Sequence, residues 1–183
     1  MKIVILGAGA VGSTLASLLC QENDLVVVDH NSSELHRLEE EADIKTLTGG
    51  ASYPNILVNA GIQEADMVVA VTGSDETNIV SCMIAKVLNK SIKTIARVRE
   101  ISYLKGKTKE AMDSGEIPVD IHISPEQLIT EHIQGLIEIP GSLQVMEFGQ
   151  GKLNLVAVRA VEGGPMIGHE IGDLKKHMPK IDS

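Results

Sequence analysis

Aromatic residues are scarce in this chain of 183 residues, and tryptophan is absent. The three aromatic residues are Tyr53, Tyr103 and Phe148. Proteins that bind single-stranded nucleic acid stack the bases on aromatic side chains, and the formal net charge of −9 would repel a phosphate backbone. The composition therefore argues against nucleic acid as a partner.

Long apolar runs and paired cysteines are also missing. No run approaches the roughly 18 apolar residues of a membrane-spanning helix, and Met1 leads into a strand-like run without the features of a secretory signal. Cys20 and Cys82 stand apart in helix-like patterns. We expect both to be buried, reduced thiols, with a disulfide as the alternative. These features predict a cytoplasmic protein.

Strand-like and helix-like segments alternate along the first two-thirds of the chain. Apolar, β-branched runs typical of buried strands cover residues 2–7, 25–30, 44–49, 65–73 and 93–100, with a possible sixth at 119–123. Helical patterns cover residues 10–21, 31–42, 54–61 and 75–89, the second opened by a capping box from Asn31 to Glu34. Strands joined in this way form a parallel sheet. The sequence predicts an α/β fold, a doubly wound parallel sheet of the Rossmann type, over residues 1–123.

A further helix lies outside this repeat. It begins at Ser124-Pro125 and ends at Pro140-Gly141, so we assign it residues 124–142. Its broad apolar face would pack on its own domain or on a second copy of the chain, and we favour the second copy. From Leu143 the pattern changes to short antiparallel strands. Residues 143–183 are too few for an independent core, which predicts a partial, small α+β domain, either a fragment or a tail that completes a partner's sheet.

Three glycines follow the first strand with the spacing G-x-G-x-x-G. Gly7 permits a tight turn, Gly9 lets the backbone approach a pyrophosphate, and Gly12 lets helix and strand pack closely. The helix that follows offers unpaired N–H groups to phosphates. Asp29 ends the second strand, where its carboxylate can accept both hydroxyls of a ribose and would repel a 2′-phosphate. The pattern favours NAD over NADP; a purely structural turn and a strand-end cap at Asp29 are the alternatives.

The end of the fourth strand points to the same crevice. Thr72 and Gly73 close that strand, where the chain should pass beside the nucleotide. Ser74, Asp75 and Glu76 follow at the start of a helix, and capping that helix is the favoured role of Asp75.

Half of the sixteen basic residues lie between Lys86 and Lys109 in this acidic chain. This basic island would meet phosphates, an acidic partner or only solvent. Within it, Arg97 and Arg99 alternate on the fifth strand and are expected to face the same side. An arginine on a buried strand needs an anion. A nucleotide phosphate, a carboxylate of a neighbouring subunit and a plain salt bridge would each satisfy it.

Groups that would catalyse a reaction are not apparent. A dehydrogenase needs a substrate domain with a general acid or base near the nicotinamide, and His122 and His132 have no paired carboxylate in view. The histidines show no metal-binding spacing either. We therefore expect no enzyme, no catalytic residue and no metal site, and a nucleotide that is sensed. The alternative is the NAD-binding domain of an oxidoreductase whose substrate domain is missing.

The chain resembles the TrkA-type regulatory subunits of prokaryotic potassium uptake systems, whose nucleotide-binding units are called RCK or KTN domains. The resemblance runs from Met1 to Ser183. It rests on the segments MKIVILGAGAVG, VVVDH, EADMVVAVTGSDETN, IARVR, ISPEQLI, LIEIPGSLQV and GGPMIG. Together these segments are far more specific than the glycine motif alone.

This resemblance implies a domain that binds NAD or NADH, with ATP or ADP also able to occupy the site. The residues that it assigns to the nucleotide are Gly7, Ala8, Gly9, Ala10, Val11, Asp29, Thr72, Gly73 and Arg97. Gly7 to Val11 would hold the pyrophosphate and Asp29 the adenosine ribose. Thr72 and Gly73 would lie beside the adenosine, and Arg97 would reach the phosphates. Arg99 is a weaker candidate for a phosphate or a neighbouring subunit.

The resemblance also implies an assembly. The helix from Pro125 would be a crossover helix that pairs subunits, followed by a TrkA-C domain that is incomplete here. The expected homo-oligomer is a dimer that builds a tetramer or larger ring on the cytoplasmic face of the membrane. Its partner would be an integral membrane potassium channel subunit of the TrkH/TrkG type, gated when the nucleotide changes the conformation. Many members repeat the whole unit, so this chain alone is not expected to form the complete gating assembly.

Overall fold

The structure is a computed structural model that describes residues 1–139, 142–148, 153–160, 162 and 167. The chain divides into two compact units, Met1–Pro125 and Glu126–Ser183. The finer division into residues 1–123, 124–142 and 143–183 stays a prediction.

The first unit is built on one parallel sheet. Its strands are β1 Lys2–Leu6, β2 Asp24–Asp29, β3 Lys45–Thr48, β4 Met67–Ala70, β5 Lys93–Arg97 and β6 Ile121–Ile123. Its helices are α1 Ala10–Leu19, α2 Ser32–Glu41, α3 Pro54–Asn59, α4 Asp75–Leu88 and α5 Gly106–Asp113, with 3-10 turns at Ile62–Glu64 and Ile101–Leu104. The strand order is β3-β2-β1-β4-β5-β6, and all neighbours are parallel. The predicted doubly wound Rossmann fold is confirmed.

The apolar strands are buried on both faces. Side chains alternate between the two faces of a strand, so Val4 and Leu6 of β1 join one hydrophobic cluster while Ile3 and Ile5 join another. Helix α4 covers the first cluster, with Cys82 and Ala85 fully buried. Helices α1 and α2 cover the second cluster. This two-sided burial is why the strands read as continuous β-branched runs.

Several local predictions need correction. Strand β5 ends at Arg97, so Arg99 lies beyond it and the predicted alternation of the two arginines on one strand is wrong. The capping box is only half formed: Asn31 accepts a hydrogen bond from the Ser33 N–H, but Glu34 pairs with Arg37 instead of closing the box. Helix α5 was not predicted, because this lysine-rich segment buries only Met112 and shows little periodicity.

The described part of the second unit contains a helix and a hairpin. Helix α6 spans Pro125–Glu138, and the antiparallel strands β7 Ser142–Phe148 and β8 Leu153–Val158 pair with an irregularity between Ser142 and Gln144. Four side chains of the predicted apolar face remain 51–72% exposed: Leu128, Ile129, Ile133 and Ile137. The predicted turn at 162–165 and the motif GGPMIG lie largely outside the described residues. None of the described helices has the length and apolar character needed to cross a membrane.

Candidate functional site

A cleft of about 720 Å³ opens at the carboxyl edge of the parallel sheet. Its walls come from the ends of five strands. They are the loop after β1, the end of β2 with His30, residues 49–53 after β3, residues 71–74 after β4, and Arg97 at the end of β5. Since the strands are parallel, these ends meet at one edge, where the strand order reverses between β1 and β4.

The glycine loop brings β1 and β4 together. Gly7 has φ +109°, and a Cβ there would lie 3.0 Å from the Thr72 nitrogen. A Cβ at Gly12 would lie 2.9 Å from the Gly7 carbonyl carbon and overlap its oxygen. Gly9 differs, because a Cβ there would meet no atom within 4 Å. Two of the glycines are therefore required by the protein's own packing, and the third is not.

The N-terminus of α1 faces the cleft. Gly9 is its N-cap and has no side chain to cap the helix, while Ala10 and Val11 in its first turn line the cleft. The first N–H groups of a helix have no partner within the helix, and they carry partial positive charge. This arrangement is suited to an anionic group such as a phosphate.

The Asp29 carboxylate ties this loop to the end of β2. Its Oδ2 accepts a hydrogen bond from the Ala8 N–H at 2.7 Å, and its Oδ1 accepts one from the Asn31 N–H at 2.8 Å. His30 Nδ1 lies 3.1 Å from Oδ1. A carboxylate can accept about four hydrogen bonds, so Asp29 keeps acceptor capacity toward the cleft. Ala8 itself is buried and does not line the cleft.

Asn78 joins the ends of β4 and β5. Its Oδ1 accepts hydrogen bonds from the Thr72 N–H at 2.9 Å and the Thr72 hydroxyl at 2.7 Å. Its Nδ2 donates to the carbonyls of Arg97 at 2.9 Å and Thr72 at 3.3 Å. Asn78 is fully buried, so it fixes the spacing of the two strand ends that carry Thr72 and Arg97. In the sequence, this role could have been recognised from a polar residue at a position on the apolar face of α4.

Arg97 and Arg99 have different surroundings. Arg97 lines the cleft, whereas Arg99 does not. The Arg99 guanidinium donates to the carboxylate of Asp75, Nε to Oδ1 at 3.4 Å, and to the Gly73 carbonyl. The salt bridge foreseen as one alternative for the two arginines is therefore the observed arrangement of Arg99.

Asp75 does not cap α4 as expected. Ser74 is the N-cap, and its hydroxyl accepts from the Thr77 N–H at 3.1 Å. Asp75, 6% exposed, accepts instead from the backbone N–H groups of Arg99 at 2.8 Å and Glu100 at 2.7 Å. Its carboxylate anchors the chain that leaves β5.

The sequence profile of the TrkA-N domain matches residues 3–124. This chain belongs to the TrkA-N family. The Trk system potassium uptake protein TrkA of Halomonas elongata is 49% identical to it over 184 residues, and that of Vibrio alginolyticus is 48% identical over 185 residues. Each alignment includes 100% of this chain and 40% of the relative, so the chain spans about two-fifths of their length.

Solved structures share the fold of the TrkA-N unit. The TrkA-N domain of the inner membrane protein ybaL from Escherichia coli has a TM-score of 0.63 at 20% identity, over 74% of this chain and 96% of that chain. The GsuK channel bound to NAD has a TM-score of 0.64 at 21% identity, over 81% of this chain and 25% of that chain.

The TrkA-N cleft has one wall that the sequence analysis overlooked. Residues 49–53 follow β3, and Tyr53 is 61% exposed there. His30, Ser74 and Thr77 also line the cleft. The pair Gly49-Gly50 at the end of the third strand could have indicated this wall in the sequence. The carboxyl ends of all parallel strands lie at one edge of the sheet, so the end of β3 belongs to the same cleft.

The basic island of the TrkA-N unit is partly neutralised by acids. Lys86 lies 3.0 Å from Asp120, Lys109 pairs with Asp113, and Arg99 pairs with Asp75. Desolvation acts to raise the pKa of Asp120, but hydrogen bonds from Thr94 and Lys86 outweigh it, so the pKa of this carboxyl lies below its usual value. Lys86, Arg99 and Lys109 thus have acidic partners within the described part of the chain.

Both cysteines of the TrkA-N unit are free thiols. Cys82 is buried as expected, and burial together with Asp120 raises its pKa to about 12. Cys20 is only half-buried, contrary to expectation, because it lies just past the last turn of α1. Among the described residues, no three His, Cys, Asp or Glu side chains come together as a metal ion would require.

Proposed function

We propose that this TrkA-N unit is a nucleotide-sensing regulatory module of a potassium uptake system, and that NAD, NADH, ATP or ADP binds in the cleft. The observation that carries the proposal is the convergence of the glycine loop, the N-terminus of α1, Asp29 and Arg97 on that cleft. The relatives named as potassium uptake proteins support the system. Structural neighbours described as bound to NAD and ADP support the ligand.

We assign the phosphates and the adenosine ribose to separate groups of the cleft. The phosphates would lie over Gly9–Val11, where the N–H groups of α1 and the Arg97 guanidinium supply positive charge. The hydroxyls of the adenosine ribose would donate hydrogen bonds to the Asp29 carboxylate, which can accept more hydrogen bonds than the two from the backbone. Thr72 and Gly73 would lie along the nucleotide, held in place by Asn78 and Arg99.

The chemistry of the cleft favours sensing over turnover. The ionisable groups of its lining are Asp29, His30, Tyr53 and Arg97. Asp29 already accepts two backbone hydrogen bonds, and the His30 side chain is 89% exposed to solvent. The relatives are named as potassium uptake proteins, which favours a role in potassium uptake over the oxidoreductase alternative.

The signal would pass to a membrane partner. We place the module at the cytoplasmic face of the membrane, as a homo-oligomer bound to an integral membrane potassium channel subunit of the TrkH/TrkG type. The exposed apolar side chains of α6 support pairing between copies. Gating requires that the nucleotide bind one conformation of the assembly more tightly than the other.

Calorimetric titration of the purified chain with NAD, NADH, ATP and ADP tests the binding step. Arg97→Ala should weaken binding about tenfold or more, because a hydrogen bond to a charged group contributes about 1.5–3 kcal/mol. Lys90→Ala is the matched control, since Lys90 belongs to the same basic island but is exposed and does not line the cleft. Equal affinity of the Arg97 variant and the wild type would remove Arg97 from the site.

Potassium flux tests the regulatory step. A full-length subunit that carries this unit would be reconstituted with its channel in vesicles, and flux measured with and without NADH or ATP. A nucleotide-dependent rate is expected. Flux that does not respond to any of the four nucleotides would refute the sensing role, even if the nucleotides bind.

A further inference from the structure

Tyr53 is an exposed aromatic ring in a chain that has only three aromatic residues. It is 61% exposed and lines the cleft together with Asp29 and the N-terminus of α1. A tyrosine ring carries a large apolar face that usually finds a packing partner. An exposed ring inside a cleft therefore marks a surface that a ligand can cover.

The backbone around Tyr53 holds its ring in place. The Tyr53 N–H donates to the Gly50 carbonyl at 3.0 Å in a tight turn, and Pro54 in the first turn of α3 fixes the chain beyond it. A Cβ at Gly50 would lie 3.0 Å from the ring atoms Cδ2 and Cε2. The ring thus packs against glycine backbone, and this preorganisation lowers the entropic cost of binding a ligand against it.

The order of the strands places Tyr53 at the end of the site where a base would lie. Strand β2 pairs with β1 on one side and β3 on the other, and Asp29 pairs with Thr48. The Gly49 N–H donates to the Asp29 carbonyl at 2.8 Å. The segment from Gly49 to Tyr53 therefore starts beside Asp29, on the side away from the glycine loop.

A bound nucleotide would run along this edge of the sheet. With its phosphates at the end of β1 and its ribose at the end of β2, the base extends toward the end of β3. The segment there has the sequence GGASY and offers no charged side chain. An uncharged, aromatic base matches this surface.

We propose that Tyr53 is the platform on which the purine base of the bound nucleotide stacks, an inference that rests on the proposed function. Stacking uses the π-face that every base presents. Tyr53 therefore contributes affinity that adenine and guanine nucleotides share, while Asp29 and the α1 N-terminus recognise the ribose and phosphates. The phenol hydroxyl is not needed for this role.

Calorimetry with ADP, and with ribose 5-phosphate as a ligand without a base, tests the proposal. Tyr53→Phe should keep the wild-type affinity for ADP within about twofold. Tyr53→Ala should weaken ADP roughly 5- to 150-fold, the range found when stacking side chains are truncated. Ribose 5-phosphate should bind both variants as it binds the wild type. Because Tyr53 is exposed, these variants should fold normally, which thermal unfolding checks.

Tyrosine fluorescence gives a second, direct readout. The chain has no tryptophan and only two tyrosines, so Tyr103→Phe leaves Tyr53 as the sole tyrosine emitter. ADP should change that emission in proportion to the calorimetric saturation, and ribose 5-phosphate should not. ADP affinity that is equal in the wild type and Tyr53→Ala would overturn the stacking role alone. A wild type that binds no nucleotide would overturn the proposed function, and the stacking role with it.

Discussion

The glycines of the first loop give opposite predictions for stability and for binding. Gly12 packs against the backbone of Gly7, whereas the position of a Cβ on Gly9 is open space beside the cleft. If the loop serves a nucleotide, replacing Gly9 should damage binding without damaging the fold. If the loop is only a structural turn, Gly9 should be dispensable for both.

Gly12→Ala should destabilise the first unit. Its methyl group would overlap the Gly7 carbonyl oxygen, a backbone atom that cannot move without shifting the whole loop. Overpacking costs about 1–3 kcal/mol, and we expect the upper end here. Alanine has a better helix propensity than glycine, which stabilises the folded variant by about 1 kcal/mol. The net loss is about 2 kcal/mol, which lowers the melting temperature by roughly 4–8 °C in a chain of this size.

Gly9→Ala should leave stability nearly unchanged. Gly9 has φ −69° and ψ −174°, which alanine adopts without strain. Alanine is a poorer N-cap than glycine by about 0.7 kcal/mol, and its lower flexibility in the unfolded chain stabilises the folded state by about 0.4–1 kcal/mol. Binding should suffer, because the added methyl keeps a pyrophosphate from the N–H groups of α1. The loss of one charge-assisted hydrogen bond weakens affinity about tenfold or more.

Thermal unfolding and ADP calorimetry on the wild type and both variants test this reasoning. The expected pattern is wild-type melting with weak binding for Gly9→Ala, and a lowered melting temperature for Gly12→Ala. A Gly9→Ala variant that binds ADP as the wild type does would show that the glycine spacing serves the turn and not a ligand.

Three further predictions concern side chains of the first unit. Asn78→Leu leaves several buried hydrogen-bonding groups without a partner, and each such group costs about 1–3 kcal/mol. Denaturant unfolding should therefore show a free energy of unfolding that is lower by several kcal/mol. A decrease below about 1 kcal/mol would contradict the network. Burial raises the pKa of Cys82 to about 12, so in a Cys20→Ser variant at pH 8 a disulfide reagent should find no reactive thiol until the protein unfolds. The pKa of Asp120 is lowered in the folded state, so its stabilising contribution is present above about pH 4 and is lost as the pH falls through the lowered pKa. The stability difference between wild type and Asp120→Asn should accordingly shrink on acidification, and a difference that grows would refute the sign.

Features whose cause lies within a short stretch of sequence were predictable, and features that depend on residues distant in the sequence were not. The strands were predictable because burial on both faces demands continuous β-branched runs, and the glycine loop because its spacing follows from contacts within a dozen residues. The role of Asp75 was predicted wrongly and the salt bridge of Arg99 was left as one alternative among three, because the two partners lie 24 residues apart in the sequence. Helix α5 was missed because it buries a single side chain, Met112. Tyr53 was overlooked because its position in the cleft depends on β3 lying next to β2, which no short stretch of sequence contains.

The first turns of α4 connect the cleft to the segment that leaves the sheet. Asn78 holds Thr72 and the Arg97 carbonyl, and Asp75 holds the backbone of Arg99 and Glu100, whose next residues enter the 3-10 turn at Ile101–Leu104. The Arg99 guanidinium completes this set of contacts by donating a hydrogen bond to the Gly73 carbonyl in the cleft wall. A ligand that displaces Thr72 and Gly73 therefore cannot do so without disturbing these bonds or carrying the segment after β5 along. The Asp75 carboxylate is therefore the group whose removal should separate a change at the cleft from a change beyond β5.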